Sequence, residues 1–173
     1  MLGRLLHWVY CLPLSEAVAL ALCGTVVFFL LCRRWEHRRW WKACLVVLGL
    51  CWLAVVLVQT IWTGRAEGRM LSLLPFQCYI TVLKGGEKEL LRSAFMNVLL
   101  FYPGGLLVGR LWPRCSLWLW MAVFLLGSLT VELCQYGFGI GITETDDVIH
   151  NTLGGFLGTL AASRYEKHRR RSL

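Results

Sequence analysis

The sequence predicts an all-α, polytopic membrane protein: about five transmembrane helices in one bundle, with the N-terminus outside and the C-terminus cytoplasmic. Three observations predict it. Hydrophobic residues make up 57% of the 173, nine of them Trp, and the mean hydropathy is +0.59. The apolar residues fall in long blocks, where a soluble domain of this length would alternate apolar and polar faces. The basic residues concentrate in short stretches between alternate blocks and at the end of the chain.

The elements follow in order. Residues 1–13, within MLGRLLHWVYCLPL, are too short to span and end at Pro13. They read as an interfacial segment or a helical extension of the first span. Apolar blocks at 14–32, 43–62, 94–111, 115–137 and 147–163 then form a transmembrane domain over 14–163, and 164–173 form a basic cytoplasmic tail. A span needs about 20 apolar residues, fewer where Trp or Arg anchor its ends. The first block lacks a small-residue cleavage site and runs straight into Arg33 and Arg34, so it reads as a retained anchor rather than a signal peptide. The third carries Pro103, Gly104 and Gly105; the fifth carries Gly154, Gly155 and Gly158. Small residues let helices approach closely, so these two spans are expected to pair.

Residues 63–93 form the long connection. A polar TGRAEGR is followed by MLSLLPFQCYITVL, too apolar for a plain loop and expected on the outer membrane surface or folded back between helices. Gly85-Gly86 reads as a turn, and the stretch after it as a helix leading into the third span.

Charge orients the chain. RRWEHRRWWK at 33–42, then Arg110 and Arg114, then Arg164, Lys167, Arg169, Arg170 and Arg171 mark three cytoplasmic regions. Trp40, Trp41, Trp118 and Trp120 read as membrane-interface or lipid-facing residues. The net charge of +8 then belongs beside lipid headgroups, and no nucleic acid is expected as a partner. Cys23, Cys44 and Cys51 lie in apolar runs as packing residues, while Cys11, Cys78 and Cys134 leave one disulfide open. No Cys/His spacing fits zinc, and neither metal nor cofactor is expected.

The polar residues that this reading leaves over gather on the outer side. Glu132 and Gln135 share a helix face at the end of the fourth span, and Asp147 and Asn151 share one at the start of the fifth. Asp146 pairs similarly with His150, and Asn97 enters the third span at the same level. A carboxylate inside an apolar run needs a partner, so Glu132 reads as functional or fold-organising. Glu144, Thr145 and Asp146 read more simply as helix-capping groups, with Asp146 or Thr145 the N-cap. His150 is either a proton carrier or a satisfied group at a helix start.

These residues also stand in a known order. Leu74-Pro75-Phe76 precede Asn97, then Phe101, Pro103 and Gly105, then Glu132 and Gln135, and finally Asp146, Asp147, Asn151, Gly154 and Gly158. The chain therefore resembles the VanZ-like family, named for a teicoplanin-resistance protein, over roughly residues 71–160. Two departures stand out: GIGIT at 139–143 lacks the family's usual arginine, for which Arg92 is the candidate substitute, and Glu144 stands where the family often has an aspartate. The resemblance implies a multi-pass protein of the cell membrane, linked in the family's namesake to lowered teicoplanin susceptibility. The first expectation is a non-enzymatic protein acting at the outer face on lipid-tailed glycopeptides or lipid-linked cell-envelope intermediates. If the fourth and fifth spans are neighbours, the polar faces meet in one pocket open to the outside, and the candidate ligand-binding set is Asn97, Glu132, Gln135, Asp146, Asp147 and Asn151. One alternative is an enzyme acting on a lipid headgroup or lipid-linked glycan, with Glu132 and Asp147 as acid and base. Another is a small proton-coupled lipid translocator titrating at Glu132, acting as a homo-oligomer.

Overall fold

The computed structural model describes residues 14–35, 40–59, 70–139 and 142–171. The expected interfacial segment 1–13, the end of the second span at 60–62, the TGRAEGR stretch and Cys11 lie outside them. The chain divides into two compact units, residues 1–42 and 43–173. In the first, helix α1 (Leu14–Trp35) ends on Arg33 and Arg34, and the Trp35 ring lies 5.6 Å from Trp40 and 6.2 Å from Trp41.

The second unit takes in α2 (Trp41–Leu57) from Ala43 onward. Strand β1 (Met70–Ser72), the short helix α3 (Gln77–Leu83) and α4 (Glu89–Leu111) follow. After them come α5 (Leu117–Phe138), strand β2 (Ile142–Glu144) and α6 (Thr145–Arg171). The chain is thus mostly helical, as expected. Among the described residues α4 and α5 are long and apolar enough to cross a membrane, and α2 is a shorter apolar helix. Helix α6 continues through the expected basic tail as far as Arg171.

The central contact is α4 against α6, and glycine makes it. A Cβ on Gly105 would strike the Gly155 carbonyl and sit 2.8 Å from Thr159 N; one on Gly158 would strike the Tyr102 carbonyl; one on Gly154 would strike that of Val98. The expected pairing of the third and fifth spans is therefore present as backbone-to-backbone contact. α4 runs unbroken through Pro103, whose ring faces outward.

Aromatic residues knit α2 and α5 onto this pair. Val56, Phe101 and Phe124 form a buried cluster with Trp52, Leu100, Val108 and Trp120 packed on it. The Trp52 ring meets Phe101 at 5.9 Å and Phe124 at 6.3 Å, both edge-to-face, the arrangement that the ring quadrupoles favour. Its indole N–H donates to Leu100 O at 2.7 Å, and a Cβ on Gly104 would enter the same ring. Trp118 is exposed as expected. Trp120 instead turns toward the cluster, so its place beside Trp118 in sequence does not give it a lipid-facing role.

At the opposite end from the candidate site, Arg110 is not the free boundary charge its position suggests. It is buried in the last turn of α4, ion-paired with the buried Glu166 of α6, with its guanidinium 5.9 Å from the Tyr165 ring. Arg169 approaches the same carboxylate at 3.4 Å. One feature was not expected at all. β1 and β2 pair in parallel, Met70 with Ile142 and Ser72 with Glu144, which brings the Leu-Pro-Phe segment to the start of α6.

Candidate functional site

Two neighbouring turns, the end of α5 and the start of α6, build the site, and α4 and α3 close it from either side. α5 buries Glu132 to 3% exposure. Its carboxylate accepts a hydrogen bond from Glu144 N at 3.0 Å, and its own carbonyl accepts one from the Thr143 hydroxyl at 3.4 Å. Glu132 therefore organises the fold: it holds β2 over the end of α5 and supplies the acceptor that a strand edge there would otherwise lack.

Asp147 lies in the first turn of α6 and accepts from Asn97 Nδ2 on α4 at 2.6 Å. One turn further in, Asn151 Nδ2 donates to Ser128 Oγ at 2.9 Å, and both side chains are buried. Asn97, Glu132, Asp147 and Asn151, expected to meet, thus converge from α4, α5 and α6. Gln135 lies half-buried, three residues after Glu132 on the same helix.

Asp146 does something else. Its side chain is buried, one oxygen accepting from Phe76 N and the other from Cys78 N at 2.9 Å. Expected as an N-cap of its own helix, it instead receives the amides at the start of α3. Consecutive helical residues point about 100° apart, so Asp147 faces α4 and α5 while Asp146 faces the Leu-Pro-Phe segment. Thr145 belongs to the same fastening, its hydroxyl donating to Leu73 O at 3.2 Å. Phe76 adopts φ 62°, a left-handed conformation that a bulky residue keeps only where its surroundings fix it; the Asp146 carboxylate on its N–H is one such constraint.

His150, one turn after Asp146, is buried with Nε2 2.8 Å from the Tyr79 hydroxyl and the two rings 5.7 Å apart. It is a hydrogen-bonded group between α6 and α3. Arg92, the candidate for the missing arginine, pairs with Glu89 at 3.4 Å.

The electrostatics of the rim follow from burial beside these acids. Burial, and then the Asp146 charge, raises the Glu144 carboxyl above its ordinary value. Burial, the hydrogen bond to Asp146 and the Asp146 charge push the Cys78 thiol up to about 11. Tyr79 is also raised, by burial first and then by the neighbouring Cys78 and Asp146. Cys78 and Cys134 are both free thiols. Among the described residues no three of His, Cys, Asp and Glu are grouped so as to hold a metal ion.

Ser128 is the member that sequence reasoning missed. It lies four residues before Glu132, on the same helical face, and that register was the available signal. Tyr79 offered none, because its partner is 71 residues away.

A small helical protein whose polar side chains converge between apolar helices, under a fastened Leu-Pro-Phe segment, is the class that fold and site define. The chain belongs to the VanZ/LLP1 family, whose model matches residues 40–165. Protein VanZ of Enterococcus faecium is 33% identical to it over 126 residues, covering 72% of this chain and 73% of that protein. No solved structure matches the chain. The matched region contains every residue of the site.

Proposed function

We propose that this chain is a multi-pass protein of the cell membrane with five spans, its N-terminus outside and its C-terminus in the cytoplasm. The convergent polar cluster then opens to the outer face and receives the polar head of a lipid-tailed glycopeptide or of a lipid-linked cell-envelope intermediate. On this reading the protein catalyses no reaction and lowers susceptibility to teicoplanin-type antibiotics, the property for which the VanZ-like family is named.

One observation carries the reading: α5 is apolar outside and keeps its buried polar side chains, Ser128 and Glu132, inside. Trp118, Leu126, Leu133 and Phe138 are exposed while Ser128 and Glu132 are buried. A helix in water has the opposite arrangement, whereas a bilayer solvates the outer face and leaves the inner polar face for a ligand or a partner helix. Within the cluster Asn97, Gln135, Glu144 and Asp147 are partly exposed, and Glu132, Asp146 and Asn151 are buried. The first group is within a ligand's reach, and the second supports it.

Deleting the gene should raise sensitivity to teicoplanin more than to vancomycin, which has no lipid tail, and Asp147→Asn should reproduce much of the shift. Equal shifts for both drugs, or none, would sink the proposal.

The placement of two carboxylates on adjoining helices, Glu132 on α5 and Asp147 on α6, favours a second reading as an acid–base pair acting on a lipid headgroup or glycan. We rank it below the first because Glu132 is buried and already bonded to Glu144 N. Lipid extracts of wild type and Asp147→Asn compared by mass spectrometry test it, and identical profiles remove it. The translocator reading needs a homo-oligomer to provide a path, and cross-linking that yields only monomers counts against it.

A further inference from the structure

The segment joining β1 to α4 is held from behind and bare in front. Behind, Asp146 accepts from Phe76 N and Cys78 N, Thr145 donates to Leu73 O, and Tyr79 meets His150. β1 adds its parallel ladder to β2. In front, Leu73, Leu74, Phe76, Ile80 and Leu83 are all exposed, Leu83 to 87% and Leu74 to 67%. Phe76 and Ile80 lie four residues apart and Ile80 and Leu83 three, so they share a face of the short helix. The fastening on the other side keeps that face from turning inward.

Its position limits what can cover it. Residues 84–88 alone separate α3 from α4. The 23 residues of α4 run about 34 Å at 1.5 Å per residue, against a hydrocarbon core of about 30 Å. The bare face therefore lies a short turn and the first turn of α4 away from the membrane boundary. Lys84 follows Leu83 at once, and a Lys at such an edge lays its stem along apolar surface while its ammonium reaches headgroup level.

We propose that the exposed face from Leu73 to Leu83 is a membrane-insertion surface, seated among phospholipid acyl chains of the leaflet that borders the candidate site. It rests on the membrane reading above and deepens it. Asp146, which holds this surface from behind, adjoins Asp147, which faces the polar cluster, so the surface is anchored one residue from the site.

The full chain is reconstituted in vesicles of phosphatidylethanolamine and phosphatidylglycerol, with the photoreactive p-benzoylphenylalanine placed singly at Leu74, Leu83, Lys88 or Leu126. Lipid adducts are counted by mass spectrometry after irradiation. Burying one large apolar side chain favours hydrocarbon by more than about tenfold, so adducts at Leu74 and Leu83 should exceed those at the exposed Lys88 by about that factor. Lipid adducts at Leu126, on the exposed face of α5, with Leu83 no higher than Lys88, would overturn the insertion surface alone. Chain-to-chain products at Leu83 would also overturn it, because a second copy would then cover the face. An absence of lipid adducts at Leu126 would overturn the membrane reading itself.

Discussion

Replacing Asp146 with Ala should release the Leu-Pro-Phe segment from α6 while leaving the helices behind it folded. The Asp146 carboxylate serves two backbone donors, Phe76 N and Cys78 N, and is itself buried. A hydrogen bond to a charged group is worth about 1.5–3 kcal/mol, and removing the carboxylate also removes its own burial cost. Setting one against the other leaves about 3 kcal/mol for the pair. At about 1.4 kcal/mol per decade that is about 150-fold, read as faster exchange of the Phe76 and Cys78 amides through local opening. Asp146→Asn keeps one acceptor oxygen, loses the charge, and should fall about midway, near tenfold. Hydrogen exchange followed by mass spectrometry on peptides spanning residues 73–83 measures this directly. Two results would refute the reasoning: exchange in Asp146→Ala unchanged from wild type, or an equal acceleration in Asp147→Ala, which touches Asn97 rather than these amides.

Gly158→Ala should lower the thermal midpoint by the equivalent of about 1–3 kcal/mol or more, because its Cβ would meet the Tyr102 carbonyl and lie 2.8 Å from Leu106 N. Gly127→Ala, with open space around it, should leave the midpoint unchanged or raise it slightly. Arg110→Met should cost about 3 kcal/mol by leaving Glu166 buried without its main partner; Arg110→Met with Glu166→Leu should recover most of that in denaturant unfolding. At pH 8 the Cys78 thiol, raised from an ordinary 9.0 to about 11, should react with maleimide about a hundredfold more slowly than an unshifted thiol, and its rate should climb until the pH approaches 11. The sign follows from the raised value: the thiol's contribution to stability is complete below pH 9.0 and is lost as the pH rises through about 11.

What was legible in the sequence had few physical explanations. Glycine inside a membrane-length helix signals close backbone approach, and Gly105 and Gly158 do meet. A carboxylate in an apolar run demands a partner, and Glu132 has one in Glu144 N. Less was legible where the answer depends on a contact distant in sequence. Asp146 and Asp147 look alike side by side, and only a helical rotation separates a fastening group from a site group. The β1–β2 ladder pairs two three-residue strands, Met70 with Ile142 across 72 positions of sequence, too short to show alternation. Arg110 looked like a boundary cation because charge bias counts residues and takes no account of burial; its pairing with Glu166 becomes visible only once α6 is known to run through the basic tail.

The division between buried and reachable carboxylates decides which substitutions inform on function. Glu132 and Asp146 are buried, Glu132 accepting from one backbone amide and Asp146 from two, so changing either disturbs β2 or the Leu-Pro-Phe segment whatever the site does. A loss of resistance in Glu132→Gln would be expected of a binding protein, an enzyme and a translocator alike. Asp147 is different: it is partly exposed, and its hydrogen bond comes from another side chain, Asn97, rather than from the backbone. Asp147→Asn keeps the shape and removes the charge, and Gln135→Ala trims a half-buried side chain on the facing helix. If both shift teicoplanin sensitivity while the exchange of the Phe76 and Cys78 amides stays at the wild-type rate, the reachable side chains act on a ligand. If sensitivity moves only when those amides also open, the polar cluster serves the fold, and the function has to be sought elsewhere on the chain.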